Sequence, residues 1–266
     1  MTPGLRAYPA VHLAGDETGT REEWVVEETP IALLYNGLPF AVMMATPADL
    51  EDFALGFAVC ERIVERADEF ALVDIVRNER GIVLHGAIPQ ARFDGLDARA
   101  RGLEGRSGCG LCGISQLEAA LRPARPVGAG PRLAPTRVHA ALTTLAERQP
   151  LNAQSGGAHA AGFAHAAGVL VREDVGRHNA VDKLVGALLR ATPAIDPDDG
   201  FLAITSRASY EIVHKAANAG IAAVAAMSAP TGLAIRHAED AGMTLIAFAR
   251  GGRMNVYSGR ERIASG

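Results

Sequence analysis

Hydrophobic positions recur along this chain with two different periods, and the change of period marks its elements. In the first 90 residues strand and helix signals alternate, beginning with strand runs at 24–28, 31–35 and 39–45, the last two joined by an Asn36-Gly37 hairpin signal. They predict a small antiparallel sheet. Thr46 followed by Pro47 reads as a helix start, after which Leu50, Phe53, Phe57, Cys60 and Val64 share one face. Cys60 is therefore expected in the core. Runs at 72–76 and 82–85 flank a polar turn and add two strands.

From Pro89 to Gly108 the periodicity is lost in a stretch rich in arginine and glycine. Helical spacing returns at 114–121 and at 136–148, where Val138, Ala141, Leu142 and Leu145 face one way. A hairpin follows at 163–171, then a helix at 176–190 with Val181, Leu184, Val185 and Leu188 on one side. The remainder alternates strand 201–205, helix 209–219, strand 221–227, helix 231–241 and strand 243–249, with Gly220 and Gly242 as helix stops. Right-handed crossovers make these strands parallel. The expected fold is α/β: a small α+β domain over 1–90, a mobile linker carrying a C-x-x-C loop over 91–113, and a larger three-layer α/β/α domain over 114–266.

Composition narrows the class. Of 266 residues, 48% are hydrophobic and 21% charged, ordinary globular usage. The net charge of −4 offers no diffuse positive field for nucleic acid or anionic membrane. No secretory pattern opens the chain, and polar and small residues interrupt its longest charge-free stretch, 216–235, so a cytoplasmic protein without a membrane span is expected. Three cysteines, Cys60, Cys109 and Cys112, cannot make a disulfide framework.

Cys109 and Cys112 sit in Gly-Cys-Gly-Leu-Cys-Gly, where glycines leave both sulfurs uncrowded. Arg106 and a helix start near Ile114 both favour the thiolate. Zinc would need further ligands, and His159, His165 and His178 lack finger spacing. The nucleobase deaminases need an upstream H-x-E and a proline before the first cysteine, both missing here. A thioredoxin-like centre should follow the first strand of a βαβ unit, which this pair does not. Two unreactive core cysteines would not sit in so polar a setting. A persulfide-carrying thiolate is the remaining reading, and composition does not choose between it and redox chemistry.

A second candidate site follows from strand direction. The carboxyl ends of parallel strands gather at one edge, which here brings together Ser206, Arg207 and Ser209, then Ser228 and Thr231, then Arg250-Gly251-Gly252-Arg253. Hydroxyls, guanidiniums and helix N-termini fit a phosphate-bearing ligand. The plainer alternative is helix capping by Ser and Thr, with the Gly-Gly pair turning a hairpin. The dense polar run from Arg172 to Asn179 admits both a ligand-contacting role and an N-cap by Asp174; Asp182 and Lys183 beyond it are expected as surface ions.

Five segments, GRSGCGLCG, NAQSGGAHAAGF, VREDVGRHNAVDKLVG, SRASYEIVHKAANAG and FARGGRMNVYSG, resemble the formate dehydrogenase accessory sulfurtransferase family, FdhD, over nearly the whole chain. The resemblance implies a cytosolic sulfurtransferase that takes persulfide sulfur from a cysteine desulfurase. It would pass that sulfur to the molybdenum or tungsten bis(molybdopterin guanine dinucleotide) cofactor of formate dehydrogenase. It further implies Cys109 as the persulfide carrier with Cys112 beside it, and Phe248, Ala249, Arg250, Gly251, Gly252 and Arg253 as the cofactor-binding segment. No resident metal, no nucleic-acid partner, a homodimer and a C-terminal domain similar to the cytidine deaminase fold complete the expectation. A non-catalytic cofactor-binding chaperone and a C-x-x-C thiol oxidoreductase are the rival functions.

Overall fold

The computed structural model describes residues 2–15, 17–96 and 122–264, arranged around three sheets. The first is a ribbon of two antiparallel strands, β1 (Leu5–Ala14) and β2 (Glu17–Val26). Sequence periodicity marks only its end, because Pro9 and the alanines of β1 blur the alternation that identifies a strand.

The second sheet holds β3 (Thr29–Tyr35), β4 (Leu38–Ala45), β5 (Ala71–Asn78) and β6 (Gly81–Ala87) in the order β4-β3-β6-β5. Its two hairpins are antiparallel, but β3 and β6 pair in parallel. The sheet is thus mixed rather than antiparallel: hairpin turns fix pairing within each hairpin, and only the crossover through α1 (Leu50–Cys60) sets how one hairpin meets the other. That helix also starts later than the Thr46-Pro47 signal suggests. Thr46 is fully buried and spends its hydroxyl on the backbone of Val175, while Asp49 takes the cap position in a left-handed conformation, φ 51°.

The third sheet comprises β7 (His159–His165), β8 (Gly168–Asp174), β9 (Phe201–Ile204), β10 (Ala223–Ala226), β11 (Thr244–Arg250) and β12 (Arg253–Ser258), ordered β12-β11-β10-β9-β7-β8. As the crossovers require, β9, β10 and β11 are parallel. Alternation along β9 shows how the layers form: Phe201 and Ala203 face α2 (Pro135–Glu147) through Val138, Leu142 and Leu145. Leu202 and Ile204 face the opposite layer of α4 (Arg177–Leu189), α5 (Tyr210–Asn218) and α6 (Gly232–Asp240). A short α3 (Pro150–Ser155) follows α2. The result is a three-layer α/β/α unit beside a smaller α+β unit, the fold class the sequence implies.

The two units share one core, continuous from Ile31 and Phe53 through Val181 and Leu184 to Ile212. Each such side chain contributes about 1.5–3 kcal/mol by leaving water. At the seam α1 crosses α4 at two glycines: a β-carbon on Gly56 would stand 1.7 Å from the Asp182 carbonyl oxygen, and one on Gly186 would stand 1.9 Å from that of Asp52. The backbones touch. The expected helix at 114–121 and most of the expected linker, 97–113, lie outside the described residues; 90–96, where no element is expected, are helical. Among the described residues no helix is long and apolar enough to cross a membrane.

Candidate functional site

Because β8 is antiparallel to β7, and β7 to β9, the carboxyl ends of β8, β9, β10 and β11 open on one edge. A cavity of about 500 Å³ lies there, lined by Gln149, Asn152, His159, Thr205, Ser228 and Arg250 among others. Its electrostatics are one-sided. Arg177, Arg207, Arg250 and Arg253 follow β8, β9 and β11, and among the described residues none of them has a carboxylate within salt-bridge distance. Arg177 also buries its Nε without a hydrogen-bond partner among the described residues, a costly state in the absence of an acceptor. Burial and the charge of Arg177 hold the His159 imidazole below its usual range, so it stays neutral at pH 7.

The 248–253 segment is a hairpin tip. Gly251 and Gly252 both have positive φ, 57° and 73°, as a two-residue turn between β11 and β12 demands, which is the turn reading of the Gly-Gly pair. Across it Arg250 pairs directly with Arg253. Two like charges face to face destabilise a ribbon unless an anion sits between them. Phe248 holds a positive φ of 52° beside a register shift, with its N–H donated to Ser228 O and its ring exposed. Non-glycine residues adopt such a conformation at a cost, commonly at functional sites. Ala249 is buried, and of this segment only Arg250 lines the cavity.

Other edge residues divide between roles. Thr231 caps α6 by accepting from Ala234 N at 3.2 Å, while Ser206 donates to Arg207 O. Ser209 makes no cap bond and lies 3.4 Å from His178 Nε2. The polar run from Arg172 to Asn179 is mostly committed to structure. Arg172 pairs with Asp52, and Glu173 accepts from Leu151 N and Asn152 N at the start of α3. Asp174 accepts from Thr46 N, Gly176 N and Asn179 Nδ2.

Asp182 and Lys183 are not surface ions: both are fully buried. Lys183 Nζ lies 2.7 Å from Asp174 Oδ2 and donates to Thr46 O, and Asp182 receives Lys215 Nζ at 2.8 Å. The helical pattern identifies these positions only as polar; it is α1 lying across α4 that takes them from solvent. Burial pushes the Asp182 carboxyl up to about 6 against the pull of Lys215, whose ammonium is held well above its usual range by Asp182 and Glu61 despite that same burial.

Beside this pair lies a cavity of about 280 Å³ that sequence reading does not anticipate, lined by Met43, Glu61, Arg122, His178, Tyr210, Glu211, His214 and Lys215. Glu61 binds Lys215 and Arg122, and His178 pairs with Glu211 at 2.7 Å. Burial, His237 and nearby cations bring His214 down to about 4. The signal for this cluster is the His214-Lys215 pair on a helix whose neighbours Ile212, Val213, Ala216 and Ala217 are apolar and buried. A larger cleft of about 830 Å³ sets Asp49, Glu51, Asp52 and Glu173 against Arg77, Arg148, Arg172 and Arg190. Its charges cancel, so the strand edge, not this cleft, has cations to spare.

Cys109 and Cys112 lie outside the described residues. Arg122, ten residues after Cys112, is anchored by its N–H to Tyr210 Oη at 2.9 Å and by its guanidinium to Glu61. Cys60 is buried as expected, its thiol pushed up by burial and by Asp182.

A family model described as FdhD/NarQ matches residues 26–264. A sulfur carrier protein FdhD of Xanthomonas campestris is 50% identical over 268 residues, spanning 100% of this chain and 95% of that protein. One from Bordetella petrii is 47% identical over 246 residues, covering 92% and 88% respectively. A crystal structure of a protein put forward as a formate dehydrogenase accessory protein, from Desulfotalea psychrophila, superimposes with a TM-score of 0.75 at 25% identity, over 98% of this chain and 100% of that one. The chain belongs to the FdhD/NarQ family.

Proposed function

We propose that this protein is a sulfur carrier for formate dehydrogenase, taking sulfur from a cysteine desulfurase and passing it to a guanine-dinucleotide pterin cofactor that carries molybdenum or tungsten. The observation that carries the reading is identity of about half the residues, across the whole chain, to proteins named sulfur carriers. The strand edge supports the acceptor: Arg250 and a neutral imidazole line its cavity, and Arg177, Arg207, Arg250 and Arg253 have no carboxylate partner among the described residues, a setting that suits phosphate groups, which the cofactor has and a simple thiol does not.

In this reading the Cys109 thiolate attacks the terminal sulfur of the desulfurase persulfide; that S–S bond breaks and the desulfurase leaves as a thiolate. Cys109 then holds a persulfide. Delivering that sulfur as sulfide needs two electrons, and Cys112 supplies them by attacking the Cys109 sulfur, which leaves a Cys109–Cys112 disulfide and frees sulfide for the metal. The fold's contribution is proximity, since holding cofactor and carrier on one chain replaces a bimolecular encounter.

Mass spectrometry after incubation with a cysteine desulfurase and cysteine tests it. The expected spectrum gains one sulfur on Cys109, lost on reduction and missing in Cys109→Ala. No adduct on the wild-type chain overturns the reading, and a Cys109→Ser variant that still matures formate dehydrogenase turns it into a cofactor chaperone. Reduction of insulin disulfides dependent on both cysteines identifies a thiol oxidoreductase instead.

A further inference from the structure

The strand-edge cavity has two chemically different ends. Its lining runs across the sheet in strand order, from Arg250 after β11 through Ser228 and Thr205 to His159 at the start of β7, three strand spacings or about 14 Å. Beyond His159 the wall is the junction of α2 and α3, tied to β8 by Leu151 N and Asn152 N, which donate to Glu173. Cationic at one end, the cavity is lined at the other by two uncharged amides, Gln149 and Asn152. Arg177, whose charge reaches His159, is not among the lining residues.

Gln149 is locked in place. Its carbonyl opens α3 by accepting from Ala153 N at 2.8 Å, and its Nε2 donates to Leu145 O at 3.1 Å and Ala146 O at 3.2 Å, closing α2. Two carbonyls face that nitrogen, so the amide does not turn over: exchanging its ends would set Oε1 against two acceptors. Oε1 itself accepts from no group among the described residues, yet it is not an orphaned buried atom, although Gln149 is only 7% exposed. Its opening is the cavity. A residue more than nine-tenths buried thus holds a bare carbonyl oxygen, a pure acceptor, toward the ligand space. Asn152 differs. Its N–H is committed to Glu173 and its carbonyl to Gly156 N, but its side chain makes no hydrogen bond among the described residues and is free to turn. A free amide serves any base; a locked one selects.

On the cofactor reading above, we propose that Gln149 is the residue that selects guanine as the base of the bound nucleotide, with Asn152 turned to donate to O6 and the phosphates lying toward Arg250. Guanine presents N1–H and its N2 amino group side by side, two donors that one carbonyl oxygen with two lone pairs accepts together. Adenine sets a bare N1 lone pair in that place, acceptor against acceptor. Asn152 does not discriminate, since a rotating amide donates to the O6 of guanine or accepts from the N6 amino group of adenine. The order along the cavity fits the same placement, because charge-assisted contacts suit phosphates at the arginine end and neutral amides suit a base at the other.

Calorimetric titration of the full chain with guanosine, inosine and adenosine diphosphates tests the assignment. The wild-type protein is expected to bind the guanosine form about 10–100-fold more tightly than the adenosine form. Inosine diphosphate, which keeps N1–H and lacks the amino group, should fall between them, a comparison that needs no variant. Gln149→Met keeps the length of the side chain and removes the strong acceptor: the guanosine form should drop to the level of the adenosine form, whose affinity stays as in the wild type and reports a folded site. Arg250→Ala, by contrast, should weaken all three in parallel. Equal wild-type affinity for the three, a Gln149→Met chain that keeps its preference, or one that loses guanosine and adenosine forms together overturns the assignment and leaves the sulfur carrier standing. A wild-type chain that binds none of the three overturns it along with the cofactor site, whatever sulfur Cys109 acquires.

Discussion

The seam between the two units and the edge of the six-stranded sheet are both rich in charge, and they use it in opposite ways. At the seam each buried ion has its counter-ion: Lys183 with Asp174, Lys215 with Asp182 and Glu61, Arg172 and Arg190 with Asp52. At the edge, four arginines have no carboxylate partner among the described residues, and Arg250 stands opposite Arg253. Matched charge is already spent on folding. Unmatched charge points to a ligand of the opposite sign where it carries a cost, as at the buried Nε of Arg177 and across the facing Arg250 and Arg253.

The largest test of that contrast strikes the seam where it has no slack. Gly186→Ala puts a methyl into the backbone of α1, and a loss of about 4 kcal/mol or more is expected, read as insoluble expression or a collapsed melting temperature. Lys183→Met comes next. It leaves the Asp174 carboxylate buried without its cation, at an expected cost of about 3–5 kcal/mol in chemical denaturation. Adding Asp174→Asn should recover part of that loss, since replacing both members of a buried pair is far milder than removing one.

At the edge the same measurement should barely move. Arg250→Ala is expected to leave the melting temperature within experimental error and to weaken binding of a guanine nucleotide about 10–100-fold by calorimetry, the worth of one charge-assisted contact. A fall in stability equal to that of Lys183→Met would place Arg250 in the structural class and erase the contrast.

The smallest expected effect is in pH. His214 is held down to about 4 from 6.5, and His159, His178 and His237 are also lowered, chiefly by burial. The unfolded chain therefore binds more protons than the native one between these limits, so the stability these groups contribute is complete above about pH 6.5 and is lost as pH falls toward 4. Asp182, raised from 3.8 to about 6, acts with the opposite sign over part of that window. Melting temperature should drop on acidification from pH 7 to 5, and His214→Gln should flatten the slope; an unchanged slope would remove His214 from the account.

Much of the fold was legible because it is local. The short apolar runs of β9 and β10, helical spacing in α2 and α4, and the glycine stops after α5 and α6 all depend on near neighbours along the chain. Three of the strand-edge arginines, Arg207, Arg250 and Arg253, were legible for the same reason, since a parallel βαβ series fixes which loops share an edge; Arg177 joins them only through the antiparallel β8. The ribbon was not, because it has no core of its own to impose a pattern. Nor was the burial of Asp182 and Lys183, which look like solvated ions on a helix until α1 covers them.

By itself the amino-acid order determined most of the elements outside the ribbon, the parallel series and the family, all of which follow from short-range periodicity or from motifs read in sequence. Only the tertiary structure decided which charges are matched. Asp174 and Lys183 are nine positions apart, but Thr46, which binds both, lies more than a hundred residues away. Whether a charged side chain is a structural ion or a ligand contact depends on what stands within a few ångströms of it, and that distance is set by the fold, not by spacing along the chain.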